Sequence, residues 1–181
     1  MNILKKLVIV LGALIALVLV VALFVKKDYT VQREVVINKP SQAVFDYIKY
    51  LKNQDQYCKW NKLDPGMKKS YQGTDGTVGF VAHWESDNEQ VGWGEQEIKK
   101  IEEGKRVDME LRFIKPFEST SAAYMTTDAL GDQQTKVAWG FKGRMNYPMN
   151  IMLLFFDMEE AIGGDLQTGL TNLKTLLEQS K

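Results

Sequence analysis

An uninterrupted apolar run near the N-terminus constrains this chain more than any other feature. From Leu7 to Val25 the sequence is LVIVLGALIALVLVVALFV, which contains no charged residue. At ~1.5 Å per residue in a helix, such a run nearly crosses a hydrocarbon core of ~30 Å. The run is longer than the apolar part of a usual signal peptide, and no small-x-small cleavage site follows it. We therefore predict an uncleaved transmembrane helix, with a cleaved signal peptide as the alternative.

The lysines on either side of the run bear on its orientation. Lys5 and Lys6 precede the run without an acidic residue, whereas Lys26 and Lys27 are followed by Asp28. Because positive charge is enriched on the cytoplasmic side, the short N-terminal tail is expected inside. The rest of the chain is then expected on the non-cytoplasmic side of a single-pass membrane protein, in the bacterial inner membrane. A domain on the cytoplasmic face is the alternative.

Composition and motifs exclude several functional classes. Lys+Arg and Asp+Glu both total 23, so the formal net charge is zero and no basic excess exists to neutralise a nucleic-acid backbone. The single cysteine, Cys58, and the single histidine, His83, form no Cys/His cluster for a metal. The sequence also lacks a Gly-rich phosphate loop and a nucleophile elbow. We predict no nucleic-acid partner, no metal and no cofactor; the oligomeric state and the protein partners stay open.

The pattern after the anchor predicts an α+β domain. A strand over Thr30–Ile37 leads into a helix near Pro40, and the stretch 53–65 is irregular. Pro148 then opens an apolar run, and four leucines at helical spacing mark a closing helix: Leu166, Leu170, Leu173 and Leu177. Between the irregular stretch and Pro148 lie six strand-like runs: Met67–Tyr71, Gly79–Trp84, Val91–Ile101, Arg106–Phe113, Ser119–Ala129 and Gln134–Gly143. Their short, turn-like separators predict an antiparallel meander, because crossover helices need longer connections.

Three segments resemble the helix-grip superfamily, also called SRPBCC. They are VINKPSQAVFDYI, CKWNKLDPG and GGDLQTGLTNLKTLLE. The superfamily includes START domains, plant Bet v 1 allergens and bacterial polyketide cyclase/dehydrase-type proteins, and the resemblance is to the last branch. It implies a curved antiparallel sheet around a long C-terminal helix, with a cavity for a hydrophobic or amphipathic small molecule. We accordingly predict an anchor over residues 1–27 and a START-like domain over 28–181.

Apolar side chains of the strands and of the C-terminal region are the candidate cavity wall. The predicted ligand-binding residues are Phe80, Trp84, Trp93, Glu95, Met109, Leu111, Phe113, Trp139, Phe141, Met149, Met152 and Phe156. Methionine suits an adaptable surface because its unbranched side chain repacks easily. The alternative is that these residues simply fill a core.

An enzyme of the cyclase/dehydrase type is a second possibility, with catalytic residues unknown. It needs an acid or base in the cavity, and the candidates are Glu95, Glu97, His83 and Tyr124. A carboxylate forced towards an apolar interior beside Trp93 would have a raised pKa, but such residues more often lie at the rim of a sheet and stay solvated. His83 is expected to face solvent if Phe80, Ala82 and Trp84 face inward.

Our functional expectation is a membrane-anchored domain that binds a hydrophobic, lipid-like small molecule. A ligand that partitions into lipid meets a tethered pocket at high local concentration. A protein-interaction module of the same fold is a further alternative, and it predicts a tight core without a cavity and an exposed apolar patch.

Overall fold

The computed structural model describes residues 2–179, which form two compact units. The larger unit comprises Thr30–Gly143 together with residues 159–179, and the smaller one comprises residues 2–29 together with Arg144–Met158. The predicted boundary after residue 27 stays a prediction.

Helices flank a run of strands in the described chain. The α-helices are α1 (Ile3–Phe24), α2 (Ser41–Ile48), α3 (Gln54–Tyr57), α4 (Lys59–Leu63) and α5 (Met158–Gln179), with short 3₁₀-helices at Leu51–Asn53 and Met149–Leu154. The strands are β1 (Asp28–Ile37), β2 (Lys68–Gln72), β3 (Val81–Glu85), β4 (Trp93–Glu102), β5 (Arg106–Lys115), β6 (Ser119–Gly131) and β7 (Gln134–Arg144).

The strands form one seven-stranded sheet in the order β1-β7-β6-β5-β4-β3-β2. Consecutive strands from β2 to β7 pair antiparallel, and β1 returns beside β7. Irregularities in the β4–β5 register at Trp93/Gly94 and Ile98/Lys100 are of the kind that bends strands. The predicted helix-grip fold, a curved antiparallel sheet with a long C-terminal helix, is confirmed.

Strand β3 begins later than predicted, at Val81 rather than Gly79. The reason is the backbone of Gly79, whose φ of 87° belongs to the left-handed region that ends regular strand pairing. The turn therefore extends further into the predicted strand.

Helix α5 closes the larger unit, and its predicted stripe of leucines is buried. The helix begins at Met158 and continues through Gly163 and Gly164. A Cβ at Gly163 would lie less than 3 Å from the guanidinium of Arg33 on β1, so a larger residue would displace the end of this flexible side chain. The low helix propensity of the two glycines does not end the helix here.

The smaller unit joins α1 to the segment before α5. Within the described helix α1, Ala22 is the one buried residue. One guanidinium nitrogen of Arg144 donates to both carboxylate oxygens of Asp28, and the backbone N–H of Met145 donates to the carbonyl of Lys27. The apolar run after Pro148 is a separate 3₁₀-helix in this unit and does not join α5.

By length and composition, α1 is suited to crossing a membrane. It has 22 residues, its most apolar 18-residue stretch has a mean hydropathy of 3.4, and its apolar side chains other than Ala22 are exposed. An N-terminal signal sequence satisfies the same description.

Candidate functional site

A cavity of about 240 Å³ lies within the larger unit. Helices α3 and α4, strands β2 to β7 and the first turns of α5 contribute to its wall. The lining is mostly apolar and includes Leu51, Trp60, Tyr71, Val91, Ala123, Ile162 and Leu166. Apolar walls with a few polar groups are typical of small-molecule sites, so this cavity is the candidate site.

Five predicted wall residues line the cavity. They are Trp84, Leu111, Phe113, Trp139 and Phe141. The rings of Trp84 and Phe113 meet edge to face, with centroids 6.2 Å apart. Their positions are consistent with a ligand surface, and their contact with a ligand stays a prediction.

Two other predicted wall residues, Phe80 and Met109, are not among the lining residues. Both are buried, and Phe80 stacks on Tyr71 with ring centroids 6.0 Å apart. Met109 shares the apolar face of β5 with Leu111 and Phe113, but it lies nearer the N-terminal end of the strand. These two side chains fill the core.

Trp93 and Glu95 also lie outside the lining. The indole N–H of Trp93 donates to the carbonyl of Ser86 at 3.1 Å, and the ammonium of Lys115 lies 3.6 Å from the ring centroid. Glu95 accepts a hydrogen bond of 2.5 Å from Arg112. Both side chains are held by polar partners, which alternation alone does not reveal.

Met149, Met152 and Phe156 belong to the smaller unit and are not among the residues that line the cavity. All three side chains are apolar. They lie in a 3₁₀-helix and the two residues after it, rather than in the closing helix.

The sequence pattern did not predict the polar residues of the cavity wall, because most of them lie in short elements without periodicity. Asp55 accepts hydrogen bonds from Lys69 and Asn61, each at 2.7 Å. Outside the lining, Lys59 of α4 pairs with Asp165 of α5, and Asn172 of α5 donates to the carbonyl of Tyr57 at 3.0 Å. The sequence segment that could have indicated this part of the wall is CKWNKLDPG, which carries three of the lining residues: Cys58, Trp60 and Asn61.

Two buried amides of the cavity wall donate their side-chain nitrogens to a weak acceptor. Gln54 and Gln96 are 6% and 8% exposed, and both line the cavity. Their side-chain nitrogens donate to the sulfur of Met109, at 3.9 and 2.9 Å. A thioether is a weak acceptor, whereas buried polar groups usually have strong partners. Both amides therefore retain hydrogen-bonding capacity beside the cavity.

The thiol of Cys58, which lines the cavity, is not activated as a nucleophile. Burial raises the pKa of Cys58 to about 11. A buried thiol that stays protonated at neutral pH is a poor nucleophile. Burial also raises the pKa of the Tyr71 phenol, so it stays neutral.

Three carboxylates converge on one guanidinium on the face of the sheet opposite the cavity. The Arg112 cluster consists of Arg112, Glu95, Glu97 and Glu110, with distances from 2.5 to 2.7 Å. These residues alternate along β4 and β5 with the cavity residues Gln96 and Leu111. Hydrogen bonds from Arg112 and Lys99 lower the pKa of Glu97. The hypothesis that an apolar interior raises the pKa of Glu97 is therefore wrong.

The other acid–base candidates also have polar partners. His83 is among the lining residues, but its ring lies 3.4 Å from a Glu85 oxygen and 3.9 Å from a Glu95 oxygen. The hydroxyl of Tyr124 donates to Gln32, and the guanidinium carbon of Arg106 lies 4.1 Å from the Tyr124 ring centroid. Tyr124 is not part of the lining.

Solved structures with this architecture cover most of the chain. Truncated norcoclaurine synthase from Thalictrum flavum is 11% identical with a TM-score of 0.62, covering 85% of this chain and 96% of its own. A protein from Chromobacterium violaceum is 14% identical with a TM-score of 0.58, covering 83% and 98%. The Aha1 dimer from Colwellia psychrerythraea is 12% identical with a TM-score of 0.57, covering 84% and 98%. At such identities these matches show the fold alone.

Sequence comparison identifies the family. No curated protein matches the chain. The family model described as polyketide cyclase / dehydrase and lipid transport, however, matches residues 28–178. Because this match spans most of the chain and agrees with the observed fold, the protein belongs to the polyketide cyclase/dehydrase and lipid transport family.

Proposed function

We propose that this protein is a membrane-anchored binding protein for a hydrophobic or amphipathic small molecule, held in the cavity of the larger unit. The observation that carries the proposal is a mostly apolar cavity lined by two buried amides whose side-chain nitrogens donate to a thioether. The description of the family, which includes lipid transport, supports the same class of ligand.

The cavity favours a particular ligand chemistry. Its volume of about 240 Å³ lies just below the ~300–1,000 Å³ usual for ligand pockets, which suits a small molecule or one chain of a lipid. Asp55 and Lys69 already pair with each other, so the lining offers a ligand little uncompensated charge. The amides of Gln54 and Gln96 suit a hydroxyl or carbonyl group. The proposed ligand is thus mainly apolar, with one uncharged hydrogen-bonding group.

Residues 1–27 are proposed to anchor the protein and residues 28–181 to form the binding domain. The amide of Asn150 donates to the carbonyls of Ala22 and Val25, at 2.7 and 2.9 Å, and Asn150 is fully buried. Cleavage after the apolar run would remove partners from a buried polar side chain, which is costly. This contact supports an anchor that is retained.

The flanking lysines support one membrane side for the binding domain. We expect the N-terminal tail in the cytoplasm and the binding domain outside it, at the bacterial inner membrane. C-terminal alkaline phosphatase and green fluorescent protein fusions test this orientation. Phosphatase activity without fluorescence is expected, and the reverse pattern would place the domain in the cytoplasm.

Native mass spectrometry tests ligand binding directly. The full chain is purified gently in detergent from membranes and measured before and after denaturation. We expect a reproducible bound mass that denaturation releases and that identifies a mainly apolar compound. A ligand-free mass after incubation with several membrane extracts would contradict the proposal and favour the interaction module.

A further inference from the structure

The segment Tyr147–Phe156 is an unusual surface of the smaller unit. Its sequence, YPMNIMLLFF, contains no charged residue. Met149, Leu154, Phe155 and Phe156 are each more than half exposed, and Phe155 reaches 77%. Consecutive exposed apolar side chains of this size mark a contact surface rather than an ordinary aqueous one.

The segment is attached to the C-terminal end of α1 by a buried polar contact. A helix leaves its last carbonyls without intrahelical partners. The side-chain nitrogen of Asn150 donates to two carbonyls at this end, those of Ala22 and Val25. Ala22 is itself fully buried, although its neighbours along α1 are exposed. The apolar segment is therefore continuous with the apolar surface of α1.

Charged residues lie at the edge of this combined surface. Lys26 and Lys27 follow α1, and Asp28 pairs with Arg144 shortly before the segment. Tyr147 lies between this charged group and the apolar residues in sequence. Aromatic and basic residues next to apolar surface are typical of the boundary between lipid tails and head groups.

We infer that Tyr147–Phe156 is a second membrane-contacting element, which inserts its apolar side chains into the interface of the bilayer that α1 spans. The segment is too short to cross a hydrocarbon core, so it lies in the interface. This inference rests on the proposed anchor, because the bilayer is the one occupant that covers both α1 and the segment in a continuous apolar medium.

Site-directed spin labelling of the full chain in phosphatidylcholine/phosphatidylglycerol liposomes tests the inference. The label is attached to Phe155→Cys, where the exposed side chain leaves little packing to lose. Native Cys58 is buried with a raised pKa, so it contributes little background. Matched labels at Leu14→Cys, within α1, and Asp132→Cys, in the exposed turn between β6 and β7, mark the bilayer and water. The readout is collision of the label with oxygen and with a water-soluble nickel chelate.

The three labels separate this inference from the anchor itself. We expect the label at position 155 to collide with nickel several-fold less, and with oxygen more, than the label at position 132. Water-like collision at 155 with a shielded label at 14 would overturn the inference and leave the anchor intact. Shielding at 155 from both reagents would also overturn it, by indicating a protein contact. Water-like collision at 14 would overturn the anchor and the inference together.

Discussion

Gln96 presents a buried amide to the cavity while its nitrogen bonds to the sulfur of Met109. Replacing it with leucine removes the hydrogen-bonding group and keeps most of the volume. We expect Gln96→Leu to weaken binding of a long-chain alcohol by about 5–10-fold, since one neutral hydrogen bond contributes about 1 kcal/mol. Binding of the alkane of the same length should change little. Native mass spectrometric titration of both probes measures the difference.

The matched control is Gln72→Leu, an exposed position on β2. It should leave both affinities unchanged. Equal losses for alcohol and alkane in Gln96→Leu would contradict a hydrogen-bonding role for the amide and indicate a change of cavity shape.

Cys58 gives a second test at the residue scale. Its pKa rises from 9.0 to about 11 on folding, because the thiolate loses its hydration. Alkylation at pH 8 should be about 100-fold slower in the folded protein than in denaturant, since each pKa unit lowers the thiolate fraction tenfold. Equal rates would show that the thiol is accessible and ionised in the folded state.

The same shift has a defined effect on stability. A raised folded pKa stabilises the fold fully below pH 9, and this contribution is lost as the pH rises towards about 11. Between pH 9 and about pH 11, the free energy of unfolding of Cys58→Ala should therefore fall less than that of the wild type.

Two glycines of α5 test how closely this helix approaches the sheet. A Cβ at Gly169 would lie 2.7 Å from the Trp139 ring, whereas nothing lies within 4 Å of one at Gly164. Gly169→Ala should destabilise the protein by about 1–3 kcal/mol through overpacking. Gly164→Ala should stabilise it by about 0.5–1 kcal/mol through helix propensity. Chemical unfolding of both variants in one detergent measures the effects, and shifts in the same direction would contradict the close helix–sheet approach.

The Arg112 cluster predicts how strands β4 and β5 respond to acid. The pKa of Glu97 is lowered on folding, chiefly by its hydrogen bond to Arg112. Its contribution to stability is therefore present above the unfolded pKa of 4.5 and lost as the pH falls through the lower folded value. Arg112→Met should cost about 1–2 kcal/mol at pH 7, because three carboxylates lose their shared partner.

The free-energy difference between wild type and Arg112→Met should shrink as the pH falls below the range of the unfolded carboxylates. Lys105→Met is the control, because Lys105 is largely exposed and pairs with Glu102 at 3.5 Å. A difference that is independent of pH would show that Arg112 acts through packing rather than charge.

Alternation along the strands predicts which face of the sheet a side chain occupies. It does not predict whether that side chain lines the cavity or fills the core. Leu111 and Phe113 line the cavity and Met109 does not, although all three share one face of β5. The difference depends on how far helices cover that face, which is a tertiary property. Gln54 and Asp55 lie in a turn of helix too short for periodicity, so no local pattern predicts their role. The antiparallel order was predictable because short turns permit no other connection.

As proposed, the molecule carries an apolar anchor and a binding cavity in one chain. A ligand dissolved in the bilayer is then concentrated near the protein, which raises occupancy without requiring tight intrinsic affinity. The ligand is proposed to occupy the cavity rather than the surface of the detergent-covered anchor.

Adjacent alanines on β6 provide the most direct test of that claim. Ala123 is buried and lines the cavity, whereas Ala122 is exposed and pairs with Glu110 and Lys142 on the other face. Ala123→Trp should fill the cavity and abolish the bound mass seen by native mass spectrometry, while Ala122→Trp should retain it. Circular dichroism checks that both variants are folded. Equal ligand occupancy in the two folded variants would contradict binding in the cavity.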